Sequence, residues 1–395
     1  MRALVAYAFA GLLLAPQFPP ATPRQPPKPP SAPPAGSQPR PPSARVRSAT
    51  GDALDRYARG EHSDAVAMLS VLGGFNVEQA DVWIKAAGPD AAPRRRLAAA
   101  SLILDIAAAK EAWPSGLIEW ACDAFRLAGD PTPSEGLWLR ASIALAQQDE
   151  VWVFLMPEVF DRTPPTPTIK RAVARPPAPS GHLARARTRF PDDSYFGLAE
   201  AVGVEVASTR SFDPRVVRSE QTPVAFDRLS AAINPPEGLS DEQRALLERA
   251  RVAFEQLRSQ KAVQAEAALR LGFTLLRLGR TAEGRDRLRE VDTATDDAWV
   301  RYLARMFRGW IHASEGRPDE AVTAYESALA LVPNARSAAA LLTATLLTSD
   351  RLADAETFAV ATLASGSGED PWRGYSQGEA RQFPALMAQL RREIR

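Results

Sequence analysis

Cysteine and histidine are scarce in this sequence, and their scarcity limits the chemistry open to it. Among 395 residues there is one cysteine, Cys122, and there are three histidines, His62, His182 and His312. A single cysteine cannot form an intramolecular disulfide or a thiolate metal site. The HExxH, GxSxG and phosphate-loop motifs of common enzymes are also missing. We therefore expect no metal, no cofactor and no catalytic site.

A large charge of one sign is missing as well. The 48 basic and 47 acidic residues give a formal net charge of +1, so no broad electrostatic field attracts the chain to a polyanion. We therefore expect no nucleic-acid partner. Hydrophobic residues make up 45% of the chain, which is enough to build a sizeable buried core.

The N-terminus lacks a hydrophobic run long enough to span a membrane. The apolar run from Ala3 to Ala15 follows Arg2 and has the length of a signal-peptide core. We therefore expect residues 1–15 to be a signal peptide, the protein to be periplasmic or secreted, and the mature chain to have no integral membrane segment. Pro16 makes a poor cleavage site after Ala15, so an N-terminus without an export function is the alternative.

Proline is abundant, with 34 residues, and it divides the chain. Residues 16–48 are proline-rich and almost free of apolar side chains, which predicts a disordered, polyproline-type linker. A second proline-rich interval at 157–181 is predicted to be a loop or linker. Apolar residues spaced three and four apart predict degenerate helical repeats over 49–156 and a helical region over 182–264. No convincing alternating strand pattern interrupts them.

A fixed spacing of small and aromatic residues marks the C-terminal half. Gly309 precedes the turn residue Gly316 by seven positions, and Ala321, Tyr325 and Pro333 follow at increments of five, four and eight. This spacing resembles the tetratricopeptide repeat, in which each unit is a hairpin of two helices. In that family the proline ends the second helix.

The resemblance implies a role for each matched residue. Small Gly309 lets the two helices approach, Ala321 contacts it, and Tyr325 fills the remaining gap. Arg305 and Arg308 stand where the family has large apolar residues, so we expect a loosened contact with the preceding repeat.

The same pattern recurs on both sides of this unit. Gly272 lies 37 residues before Gly309, and Thr343 lies 34 residues after it. The other matching residues are Leu271, Gly279, Gly284 and Leu288 upstream, and Leu342, Leu346 and Ala355 downstream. We therefore predict an all-α fold of antiparallel helical hairpins stacked into a right-handed, tetratricopeptide-like α-solenoid. Its repeats cover 265–367, and residues 368–395 form a capping segment over the terminal repeat.

The resemblance implies a non-catalytic scaffold of the cell envelope that binds a protein or peptide whose identity the sequence does not give. The alternative is an all-helical envelope enzyme, such as a cell-wall hydrolase, with an unrecognised carboxylate or histidine site. The family's groove positions predict one row of binding residues, in which Phe273 and Trp310 stand side by side: Leu269, Phe273, Leu276, Arg277, Leu303, Met306 and Trp310. The alternative for this row is that the C-terminal segment or the N-terminal helices cover it.

Overall fold

The computed structural model describes residues 44–72, 74–110, 113–160, 181–208, 238–365 and 368–395. Over these ranges the protein is all-α, with eighteen α-helices and no strand. No helix within them is both long and apolar enough to cross a membrane. The predicted signal peptide at 1–15 lies outside the described residues, as does most of the predicted linker and of the predicted 157–181 loop.

The N-terminal half contributes ten helices. They are α1 (Ala44–Ala58), α2 (His62–Leu72), α3 (Val77–Lys85), α4 (Gly88–Lys110), α5 (Ser115–Leu127), α6 (Pro133–Gln148), α7 (Trp152–Leu155), α8 (Pro157–Phe160), α9 (His182–Arg189) and α10 (Ser194–Ala207). Helix α1 therefore begins inside the interval predicted to be a linker, and α8 begins inside the interval predicted to be a loop.

The C-terminal half contributes eight more helices. They are α11 (Asp241–Leu257), α12 (Gln264–Arg277), α13 (Thr281–Ala294), α14 (Ala298–Ser314), α15 (Pro318–Leu331), α16 (Arg336–Thr348), α17 (Leu352–Ala364) and α18 (Phe383–Ile394). A capping box begins α11, since the side chains of Ser240 and Gln243 each accept a hydrogen bond from the other's backbone N–H. Helices α12 to α17 form three hairpins in sequence order, each pair joined by a short turn.

One turn geometry recurs at five places in the described part of the chain. Its central residue, Gly60, Glu150, Gly279, Gly316 or Asp350, has a positive φ. In each case the next residue donates its N–H to the carbonyl five positions back, as in a Schellman motif. Three of these turns close the hairpins α12–α13, α14–α15 and α16–α17. The turn therefore supports a common register for the three hairpins.

Glycine allows the two helices of a hairpin to approach closely. A Cβ added at Gly309 would lie 2.5 Å from Cε1 of Tyr325, and one added at Gly272 would lie 2.7 Å from Cγ of Leu288. These distances are shorter than side-chain contacts allow. The predicted packing of Tyr325 against Gly309 is therefore confirmed, and Leu288 makes the equivalent contact with Gly272.

The expectation of a loosened contact at Arg305 and Arg308 is wrong. The Nε of Arg305 lies 3.1 Å from Oδ1 of Asp292 on α13, and Nη1 of Arg308 lies 2.7 Å from its Oδ2. Arg301 approaches the same carboxylate at 3.6 Å. Three cations around one partly buried carboxylate replace the apolar contact that the sequence pattern lacks.

Two apolar clusters make up the core. The first joins α1 to α11 with one side of α12, and the second joins the other side of α12 to α13–α17. The last helix, α18, places Phe383, Met387, Leu390 and Ile394 in the first cluster. The segment 368–395 was expected to cover the terminal repeat. Instead it runs from the third C-terminal hairpin back to the N-terminal helices.

The close approach at Gly309 predicts the effect of adding one methyl group there. We expect Gly309→Ala to lower the free energy of unfolding by about 2 kcal/mol, because the buried Tyr325 ring has no room to move. Gly116→Ala in α5 is the matched control, since its new Cβ meets no atom within 4 Å and should stabilise the helix slightly. Urea unfolding followed by circular dichroism measures both. Equal stability of Gly309→Ala and the wild type would contradict the contact.

Candidate functional site

The row of residues predicted to bind a partner does not face solvent. Leu269, Phe273, Leu276, Leu303 and Met306 are buried, as is Arg277, and Trp310 is half-buried. The Arg277 guanidinium donates from Nη1 to Oγ of Ser208, at 2.7 Å, at the end of α10. The C-terminal segment lies over this row, which agrees with the alternative prediction that the chain itself covers it.

Four aromatic rings form the centre of the covered row. Phe273 stacks on Phe307 with 4.5 Å between ring centroids, and Trp372 stacks on Tyr375 at 5.3 Å. Each ring of one pair meets both rings of the other pair edge to face, at 5.2 to 5.9 Å. Phe307, one helical turn before Trp310, therefore takes the place beside Phe273 that was expected for Trp310.

A buried arginine holds Tyr375 in position. Arg270 donates from Nη2 to the carbonyl oxygen of Tyr375 at 2.8 Å, and its guanidinium lies 4.3 Å from the centroid of the tyrosine ring. Its Nη1 binds Glu205 at 2.8 Å and its Nε binds Glu266 at 2.6 Å. The hydroxyl of Tyr375 donates to the other oxygen of Glu205 at 2.5 Å. One cation therefore joins α10, α12 and the C-terminal segment.

The electrostatics of this cluster favour its charged form. Burial alone lowers the pKa of Arg270, but the carboxylates of Glu266 and Glu205 outweigh burial and raise it. Burial also raises the pKa of Tyr375 well above its usual value, so its hydroxyl keeps the proton that it donates to Glu205.

Asp370 fixes the start of the covering segment. Its Oδ2 accepts hydrogen bonds from the backbone N–H of Ser337, at 2.9 Å, and from the hydroxyl of Ser337, at 2.7 Å. Ser337 lies in the first turn of α16, so the carboxylate also meets the positive end of the helix dipole. The helix that Asp370 caps therefore begins more than 30 residues earlier in the chain.

Arg381 fixes the other end of the covering segment. It lies 3.0 Å from Oδ2 of Asp297, and its guanidinium stacks over the Trp299 ring at 4.4 Å. Glu379 lies beside it, and burial together with the nearby Glu266 carboxylate raises the pKa of Glu379 to about 7. The segment is therefore held by polar contacts on both sides of its aromatic pair.

Contacts with the N-terminal helices continue to the end of the chain. The backbone N–H of Glu379 donates to the side chain of Gln147 on α6 at 3.2 Å. Arg391 donates to Oδ1 of Asp105 on α4 at 2.7 Å. The Arg395 side chain lies against Gly60 in the first recurring turn.

A second polar cluster brings together side chains that the sequence analysis did not connect. Nε2 of His182 lies 2.6 Å from Oγ of Ser142, and its Nδ1 lies 3.8 Å from Sγ of Cys122. Burial lowers the pKa of His182 to about 4 and raises the pKa of Cys122 to about 12. The imidazole is therefore neutral and the thiol protonated at neutral pH, which suits a packed core.

The described ranges contain no group of three or more His, Cys, Asp or Glu side chains that could hold a metal ion. Comparison with known proteins finds no matching family model and no matching curated protein.

The Arg270 cluster predicts a large effect of one substitution. We expect Arg270→Leu to lower the free energy of unfolding by more than about 3 kcal/mol, because two buried carboxylates would lose their cation. Arg289→Leu on the exposed face of α13 is the matched control and should change stability by less than about 0.5 kcal/mol. Thermal or urea unfolding measures both. A small loss for Arg270→Leu would mean that Glu205 and Glu266 do not depend on it.

Proposed function

We propose that this protein is a non-catalytic scaffold of the cell envelope that binds a protein or peptide partner. Its binding part would be a right-handed, tetratricopeptide-like α-solenoid formed by α12 to α17. Two observations support this architecture. The same positive-φ turn closes all three hairpins, and glycine permits the close helix contact in the first two.

The covering of the predicted row is the observation that carries the binding role. The helices hold the segment Asp370–Tyr375 mainly through the side chains of that segment. Asp370 caps the beginning of α16, and the Trp372–Tyr375 pair packs against the Phe273–Phe307 pair. Stacked helical repeats form extended concave surfaces that bind partners. The row therefore suits a peptide that presents an acid followed by aromatic side chains.

Release of the C-terminal segment would precede such binding. Trp372 belongs to the covering segment and is only half-buried. It is therefore the residue of this segment that a partner would displace first. The apparent affinity of a partner is then reduced by the small fraction of molecules in which the row is free. A change that weakens the covering segment should increase that fraction.

Binding by the row can be tested with the chain's own segment as a probe. We expect a fluorescent peptide of residues 368–382 to bind the full-length Asp370→Ala, Trp372→Ala double variant at least about tenfold more tightly than it binds the wild type. Arg373→Ala, in an exposed position of the same segment, is the matched control and should behave as the wild type. Fluorescence anisotropy measures the affinities, and circular dichroism checks that each variant is folded. A folded double variant that binds no more tightly than the wild type would count against the row.

The location in the cell envelope rests on the apolar run from Ala3 to Ala15 and the proline-rich interval after it. We expect protein purified from its native host to lack this run and to be recovered from the envelope or the medium. Intact-mass measurement of the purified protein tests this. A chain that begins at Met1 and is recovered from the cytoplasm would contradict export.

A further inference from the structure

The outer side of α17 is unusually apolar for an exposed surface. Ala355 is its only buried residue, although the helix is rich in apolar side chains. Leu352, Val360 and Leu363 are 65%, 61% and 63% exposed. Exposed apolar side chains grouped on one helix commonly mark an interaction surface.

This surface corresponds to the one by which earlier hairpins contact the next hairpin. On α13, Arg285 pairs with Glu315 after α14, and Asp292 binds the arginines of α14. Val322 and Leu329 on α15 lie 37 positions after Arg285 and Asp292, and they are buried and half-buried, respectively. Glu356 and Leu363 on α17 lie a further 34 positions along the chain, and both are exposed.

Within the described residues, no fourth hairpin packs on this surface. After Ala364 the chain turns back to Asp370 at the beginning of α16, and then runs over the Phe273–Phe307 pair. Within the described ranges, Glu356 and Leu363 therefore end the series of hairpins without the burial or ion pairs found at their earlier equivalents, and Leu352 lies beside them on the same side of α17.

We infer that this face of α17 pairs with the same face of a second copy of the chain. Consecutive helices of the series run antiparallel because short turns join them. A two-fold axis passing near Phe358 also sets α17 antiparallel to its copy. The second α17 then stands where the first helix of a fourth hairpin would stand.

Self-pairing fits the order of side chains along α17. With the axis level with Phe358, Leu352 stands within one residue of the height of Leu363 of the other copy, and the two leucines lie on the same side of their helices, because residues 11 apart are separated by only about 20°. Leucine therefore packs against leucine at both ends of the contact. Glu356 faces Val360, so the two Glu356 carboxylates do not face each other. The same surface therefore supplies both halves of the contact, as a two-fold interface requires.

The size of the row sets the expected strength. Leu352 to Leu363 spans about 16 Å of helix, so the contact falls below the roughly 1,200 Å² that stable protein interfaces bury. The dimer should therefore be weak and should dissociate on dilution into the micromolar range.

Sedimentation velocity of the full-length protein tests the dimer. From about 1 μM to about 200 μM, a range chosen around a micromolar dissociation constant, the wild type should shift from monomer to dimer. The Leu352→Glu, Leu363→Glu double variant should stay monomeric throughout. Leu127→Glu, at a 77% exposed leucine on α5, is the matched control and should dimerise as the wild type does. A wild type that is monomeric throughout, or a double variant that still dimerises, overturns the proposal.

A disulfide tests the antiparallel register. In a Cys122→Ala background, Leu352→Cys combined with Leu363→Cys should give a covalent dimer on mild oxidation. The two positions lie about 16 Å apart within one helix, so they cannot join within one chain. Leu352→Cys alone is the control and should give little dimer, because the two copies of residue 352 stand at opposite ends of the contact. Absence of the covalent dimer, or equal cross-linking by the single variant, overturns the register.

Discussion

The buried guanidinium of Arg270 is the interaction on which the rest of this structure depends. A charged group can be buried stably only when its hydrogen-bonding capacity is met. Glu205, Glu266 and the carbonyl of Tyr375 meet it from three separate parts of the chain. Arg270 is therefore fully bonded only when all three parts are in place. Its contacts fix the position of the C-terminal segment over α12 and connect the two apolar clusters of the core.

The hairpins could be predicted from sequence because their determinants are local. The interval from Gly309 to Tyr325 contains a tight contact, a turn and a small residue, and all three recur at fixed spacings. The N-terminal boundary of α11 could be predicted for the same reason, since a capping box lies within four residues. The covering of the row could not be predicted in this way. Arg270 meets partners 65 and 105 residues away, and no periodicity relates those positions.

Two errors in the candidate site have a common physical origin. Carrying family positions onto the chain paired Phe273 with Trp310, whereas Phe273 stacks on Phe307. The family pattern has a large apolar residue at the position of Arg305, whereas Arg305 binds Asp292. A repeat pattern specifies contacts within a hairpin closely, because the turn fixes them. Contacts between hairpins depend on how far one hairpin is shifted along the next and on which charges pair across them. Both vary from one interface to the next and leave no fixed spacing in the sequence.

The contacts between Arg391 and Asp105, and between Arg395 and Gly60, also affect how the protein is made. Translation proceeds from the N-terminus, so the earliest helices obtain these contacts only after residues 391–395 have left the ribosome. The nascent chain likewise presents the Phe273–Phe307 surface uncovered until Trp372 and Tyr375 have emerged. A chain that stops or is cleaved before Trp372 presents the same aromatic surface, and cellular chaperones and proteases recognise exposed surfaces of this kind.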